Sequence, residues 1–178
     1  MQIESTDIGV KIITPDFFSD FRGFTAVAFE VPNYKAAGID FNVRQINQGY
    51  SHKSNTVRGL HYQTEPFSQG KLVSCLNGVI YSVAVDIREN SKDFGNYYAT
   101  ELSSENKKVM FVPKGFAHGY LTLVDKVLVQ WCVDAEFVPE SAKSIRFDNP
   151  GIGIEWPCDP KKVMASQKDL NAHKIIDI

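Results

Sequence analysis

Lys71-Leu72-Val73-Ser74-Cys75-Leu76-Asn77-Gly78-Val79-Ile80-Tyr81-Ser82-Val83-Ala84-Val85-Asp86-Ile87 decides how the rest of the chain is read. Two apolar runs rich in β-formers flank Asn-Gly, a dipeptide that readily takes the positive φ angles of a two-residue hairpin turn. The stretch reads as a hairpin, Lys71 to Leu76 with Val79 to Ile87. A second hairpin is predicted from Tyr120 to Val124 and Val127 to Val133, around Asp125-Lys126. Outward from these, further short strands are predicted at 10–13, 24–29, 41–49, 97–102, 108–112 and 144–147, separated by Gly, Pro, Asn and Asp. A single helical turn is expected at 32–37 and a short C-terminal helix at 166–173. Many short antiparallel strands at near-regular spacing imply an all-β sandwich or barrel. The reading is one domain over residues 1–178, a double-sheet jelly roll with a barrel mouth that inward side chains can line.

A chain of 178 residues with 43% hydrophobic content is long enough to bury a core of its own. Its formal net charge is −2 and no Lys/Arg run stands out, so neither a nucleic-acid polymer nor an anionic membrane is an expected partner. A small phosphate-bearing ligand needs only two or three placed cations and stays open. Cys75, Cys132 and Cys158 are odd in number and lack Cys-x-x-Cys spacing, which fits free thiols in a reducing compartment. Met1 to Asp7 has no basic flank and no apolar run, and nothing apolar is long enough to span a bilayer. A cytoplasmic location is expected.

The residues that could carry chemistry begin with Arg58-Gly59-Leu60-His61. His61 follows what reads as an arginine-glycine turn, and Lys71 opens the next strand. A third candidate, His118, lies in Pro113-Lys114-Gly115-Phe116-Ala117-His118-Gly119. Histidine can take a proton from carbon beside a carbonyl, and nearby donors and cations can hold the enolate. A Pro-x-Gly-x-x-His pattern recurs in cupin barrels, where the histidine often ligates metal. Here the earlier strand reads His61-Tyr62-Gln63 without a second histidine, and Glu65 is poorly placed, so no metal site is expected. Asp169, in Ser166-x-x-Asp169, suits a helix N-terminus, and it could instead orient His61 as an acid orients a catalytic base. Arg22 and Arg58 could clamp a diphosphate through forked donors, with Arg88 a further candidate unless it pairs with Asp86 or Glu89. Gly23 and Gly59 each follow an arginine and read either as turns or as points of close approach to a ligand.

Together these segments resemble the dTDP-4-dehydrorhamnose 3,5-epimerase family. The resemblance runs from Asp20-Phe21-Arg22-Gly23-Phe24 through Val57-Arg58-Gly59-Leu60-His61-Tyr62-Gln63, Gln69-Gly70-Lys71-Leu72-Val73 and the Pro113 to Gly119 motif. It ends with Gly151-Ile152-Gly153-Ile154-Glu155-Trp156-Pro157 and Ser166-Gln167-Lys168-Asp169. It implies a homodimeric jelly roll without metal or organic cofactor, acting at C3 and/or C5 of a nucleoside-diphosphate-4-keto-6-deoxyhexose. It makes His61 the base, Asp169 its partner, and Lys71 and His118 the groups that hold the enolate. Arg22 and Arg58 match diphosphate contacts, and Gln45, Asn47 and Phe24 match substrate-lining positions.

Three departures stand beside the resemblance. Trp131 occupies the position of the family's tyrosine, which supplies a proton on the face opposite the base. An indole N–H is a donor but not a useful acid. The replacement is open between Tyr50, Tyr62, Tyr120 and a water. Thr25-Ala26-Val27 departs from the usual Phe-x-Glu after Arg-Gly-Phe, so the base need not be thymine, and Ser82 replaces a common acid. Two other readings follow from Trp131. One is a 3,4-ketoisomerase, which returns its proton on one face; related ketoisomerases look shorter and carry a different histidine pattern. The other is a sugar-nucleotide-binding protein without turnover, using Trp131 as a stacking platform.

Overall fold

In chain order the strands are β1 (Gln2–Ser5), β2 (Lys11–Thr14), β3 (Phe17–Asp20), β4 (Gly23–Ala26), β5 (Gln45–Ser51), β6 (Val57–Gln63) and β7 (Lys71–Asn77). They continue with β8 (Val79–Asp86), β9 (Tyr97–Ser103), β10 (Val109–Val112), β11 (Phe116–Thr122), β12 (Val127–Val133) and β13 (Ala142–Ser144). Helix α1 (Val31–Ala36) follows β4, and α2 (Gln167–Leu170) lies near the C-terminus. The computed structural model describes residues 1–173.

Eleven of these strands form a jelly roll. One sheet runs β1-β2-β10-β7-β12-β5 and the other β13-β6-β11-β8-β9. All pairings between these strands are antiparallel. The interior between the sheets is filled by Val73, Ile80, Ala84, Met110, Phe116, Val127 and Val129.

Neither predicted hairpin pairs with itself. β7 and β8 lie in opposite sheets, and so do β11 and β12. The reason is in the burial. Val79–Asp86 is covered on both faces over most of its length, and Phe116–Thr122 is buried throughout. Such strands need neighbours on both edges and a layer above each face, which a two-stranded ribbon cannot give. Gly78, with φ of 85°, turns a corner between sheets instead. The two corners pack together: the Asn77 side-chain amide donates to the Lys126 carbonyl at 2.6 Å. A Cβ on Gly78 would stand 2.8 Å from a Val127 methyl. The true hairpins join β1 to β2, β3 to β4, and β8 to β9.

Smaller differences follow the same logic. The strand expected at 41–49 is shifted to Gln45–Ser51, where it pairs with β12. The strand expected at 24–29 is cut to Gly23–Ala26 and joins β3 in a separate two-stranded ribbon. This ribbon exposes Phe17, Phe18, Phe21 and Phe24, with Phe21 98% exposed. β1 lacked a sequence signal because Gln2-Ile3-Glu4-Ser5 is an edge strand with little to bury.

Candidate functional site

Two glycines set the geometry at the mouth of the barrel. Strands β6 and β11 run side by side, with His61 opposite His118. Gly59 has a φ of 122°, and a Cβ placed on it would lie 2.6 Å from Gly119 Cα. The expected arginine-glycine turn is therefore the interior of a strand, and Gly59 serves a close approach between two backbones, not a turn or a ligand. Gly59→Ala is expected to cost about 2–4 kcal/mol, from a forbidden conformation plus a backbone clash. A urea titration of the variant checks this.

The cavity beside these strands has a volume of about 660 Å³ and is walled by both sheets and the segment leading into α2. On its floor His61 Nε2 lies 2.7 Å from Asp169 Oδ1. Asp169 is buried on the short helix α2. The two readings of Asp169 turn out to be compatible. Its backbone N–H donates to the Ser166 hydroxyl at 3.1 Å, which caps the helix and leaves the carboxylate free to meet His61. Burial pushes the Asp169 carboxyl up, but the hydrogen bond and charge of His61, aided by Ser166 and the Gly59 amide, outweigh it and leave the pKa lowered.

Lys71 is buried at the start of β7 and donates from Nζ to the His61 carbonyl at 2.9 Å. Burial lowers its pKa to about 8. His118 is also buried, with Nε2 3.0 Å from the Ser82 hydroxyl. Burial, then the charges of Lys71 and His61, hold it well below the usual histidine range. With a hydroxyl under it instead of a carboxylate, His118 is neutral near pH 7. Among the described residues, no three His, Cys, Asp or Glu side chains gather as a metal-binding group.

Gln45 and Asn47 line the cavity from β5 and are joined by a 2.6 Å bond between their amides. Arg58 lines it too, with Nε donating to the Ser51 hydroxyl at 3.2 Å and a second nitrogen to the Tyr50 carbonyl at 2.9 Å. Trp131 stands on the opposite wall, on β12. Arg22 and Phe24 do not line their own chain's cavity. Arg22 is held by Asp20 at 2.6 Å on the exposed ribbon, and Lys107 sits 4.2 Å over the Phe24 ring. Arg88 closes on Asp86 at 2.6 Å, the more ordinary of its two readings.

Sequence reading missed Lys143 and Lys168, two further cations on the cavity wall, and Phe137. Lys168 carried a usable signal, its place directly before Asp169. Lys143 had none, because a lysine on a short terminal strand is usually solvated. Gln63, on the same strand as His61, donates to the Phe67 and Glu136 carbonyls and accepts from the Val138 amide, so it fastens a loop.

A jelly roll whose mouth gathers a His–Asp pair, a buried lysine and a second histidine defines a class, the cupin-type isomerases. Comparison with known proteins narrows it. Residues 5–177 match the family described as dTDP-4-dehydrorhamnose 3,5-epimerase, and the chain belongs to that family. It is 38% identical over 179 aligned residues to dTDP-4-dehydrorhamnose 3,5-epimerase of Sinorhizobium fredii, covering 100% of this chain and 91% of the relative. Among solved structures it is similar to dTDP-6-deoxy-D-glucose-3,5-epimerase from Legionella pneumophila, in complex with dTDP-4-keto-L-rhamnose. There the TM-score is 0.91 and the identity 39%, over 96% of this chain and 90% of the other. A 3'-monoepimerase from Streptomyces bikiniensis, in complex with dTDP-quinovose, aligns with a TM-score of 0.87 at 29% identity, over 94% and 85% of the two chains.

Proposed function

We propose that this protein epimerises a nucleoside-diphosphate-4-keto-6-deoxyhexose at C3, C5 or both, through an enolate and without a cofactor. The observation that carries the reading is the His61–Asp169 pair at 2.7 Å, with the Lys71 ammonium bonded to the His61 carbonyl in the same cavity. A ketone at C4 acidifies hydrogens on C3 and C5, so one base can serve either carbon. His61 removes the proton, Asp169 orients and balances the resulting imidazolium, and Lys71 holds the charge that develops on O4. His118, being neutral, contributes a hydrogen bond to the enolate and no charge. Arg58, Gln45 and Asn47 hold the diphosphate and sugar. A cavity of about 660 Å³ suits a ligand of this size.

The test is NMR of 4-keto-6-deoxyhexose nucleotides incubated with enzyme in deuterated water. Deuterium at C3 and C5 marks a double epimerase, and at one carbon a monoepimerase. No exchange with any sugar nucleotide tested overturns the reading. The Trp131 indole on the wall facing the base favours one second reading, a ketoisomerase. Product with its carbonyl at C3 would identify it.

The working form is a homodimer. The β3–β4 ribbon exposes four phenylalanines, more apolar surface than a two-stranded ribbon can bury by itself. A second copy covers it, and the ribbon brings Arg22 and Phe24 to the partner's cavity, since they do not reach their own. Sedimentation analysis is expected to give twice the 20.0 kDa chain mass, and Phe18→Asp with Phe21→Asp to give the single mass.

A further inference from the structure

Removing a proton is half of epimerisation. The other half is delivery of a proton to the opposite face of the same carbon, and Trp131 has no acid to give. Three tyrosines remain to be weighed. Tyr50 is 45% exposed, sits edge-on to His52 and does not line the cavity. Tyr62 follows the base directly on β6 and packs against the Leu60 and Val83 cluster, so it belongs to the wall that carries His61.

Tyr120 is different. It starts on β11, two residues from His118 on the same strand face, but its ring crosses the barrel. Its hydroxyl lies 3.2 Å from the point where a Cβ on Gly49 would stand, and the edge of the Trp131 ring lies 3.2 Å from that same point. Gly49 and Trp131 belong to β5 and β12, in the sheet facing the base. The phenol therefore ends beside the residue that occupies the family's donor position. Its oxygen is buried and makes no hydrogen bond of ordinary geometry, although the Ser51 hydroxyl stands close enough to favour the phenolate. A buried hydroxyl left unpaired costs free energy, and such a group calls for an explanation.

We propose that Tyr120 is the proton donor on the face opposite His61, its hydroxyl delivered across the barrel to the wall where Trp131 stands. This rests on the epimerase reading above. His61 takes the substrate proton and the C–H electrons become the enolate. The Tyr120 O–H then breaks as a new C–H bond forms on the opposite face, and the enolate returns to the ketone. The phenolate left behind is neutralised when the imidazolium proton leaves through solvent and another returns to Tyr120. Burial raises the Tyr120 pKa, so the phenol holds its proton until needed, and the Arg58 charge and then the Ser51 hydroxyl temper the rise and steady the phenolate. The hydroxyl is closed off from solvent in this structure, and movement of the indole edge beside it opens it to the sugar and then to the water that restores its proton. Gly49 leaves the room for both rings.

Tyr120→Phe, which keeps the ring and the packing, separates the two half-reactions. With the 4-keto sugar nucleotide turned over by the wild-type enzyme, inversion is expected to fall at least about 100-fold. Deuterium wash-in without inversion at the same carbon is expected to stay within about threefold, because His61 can return a solvent proton to its own face. Retained wash-in also shows that the variant is folded. Inversion at the wild-type rate overturns the proposal, and so does an equal loss of wash-in and inversion. A wild-type enzyme that exchanges no deuterium defeats the epimerase reading itself, which is a separate result.

Discussion

His61→Asn is expected to lower deuterium wash-in, at whichever of C3 and C5 the wild-type enzyme exchanges, by about 10³-fold, since a positioned general base typically contributes 10²–10⁴-fold. The fold should survive. The His61 side chain is 42% exposed, and an asparagine amide can still donate to the buried Asp169 carboxylate, which would otherwise lose its partner. The melting temperature is expected to move by only a few degrees, about what 1 kcal/mol shifts in a domain of this size. Exchange followed by NMR and a thermal melt on the same sample make the check. A variant that keeps its fold and still exchanges at the wild-type rate removes His61 from the mechanism.

Lys71→Met is expected to act in opposite directions on activity and stability. If Lys71 faces the developing O4 charge as proposed, loss of the cation slows exchange by about 10²–10³-fold, the range for removing one preorganised donor. Stability should rise. The lysine pKa is lowered to about 8 in the folded protein by burial, so the charged form is disfavoured there. The unfolded chain binds this proton more tightly than the folded chain. The penalty is therefore fully present below about pH 8 and is relieved as pH rises from there toward the ordinary lysine value. Its size is on the order of 3 kcal/mol at neutral pH. Methionine fills similar volume without a charge to bury. Wild-type exchange should decline as pH rises through about 8 and Lys71 loses its proton, and that decline should be absent from Lys71→Met. A pH–rate profile with parallel urea melts reads both effects.

The strands were legible in the sequence while their partners were not. Val79 to Ile87 and Val127 to Val133 announce themselves by β-branched, apolar runs. Which sheet each enters depends on what covers its second face, and that is a property of the assembled barrel. Asn77-Gly78 illustrates the limit: a dipeptide that permits a hairpin also permits a corner, and the local sequence is the same for both. The site divides in the same way. His61, Lys71 and His118 could be picked out because their residue types suit the chemistry. The Asp169 partnership with His61 spans 108 positions, and nothing local distinguishes an acid that caps a helix from one whose backbone caps it while its side chain works elsewhere. Tyr120 was visible only as one of three tyrosines. Its distinction, a ring that crosses to the other sheet and an unpaired hydroxyl, exists only in three dimensions. Arg22 and Phe24 look like site residues in one dimension and stand outside the cavity of a single chain in three.

The span between His61 and Asp169 also has a meaning during synthesis. Chains emerge from the ribosome N-terminus first, and His61 appears long before the residue that orients it. Every strand of both sheets precedes α2, so the barrel can close around its cavity while the histidine still has no carboxylate beside it. Asp169 arrives afterwards, carried by a four-residue helix that docks against β6. His61 is thus without its carboxylate partner until every strand of the two sheets has been made, and the pair is complete only when that short helix docks.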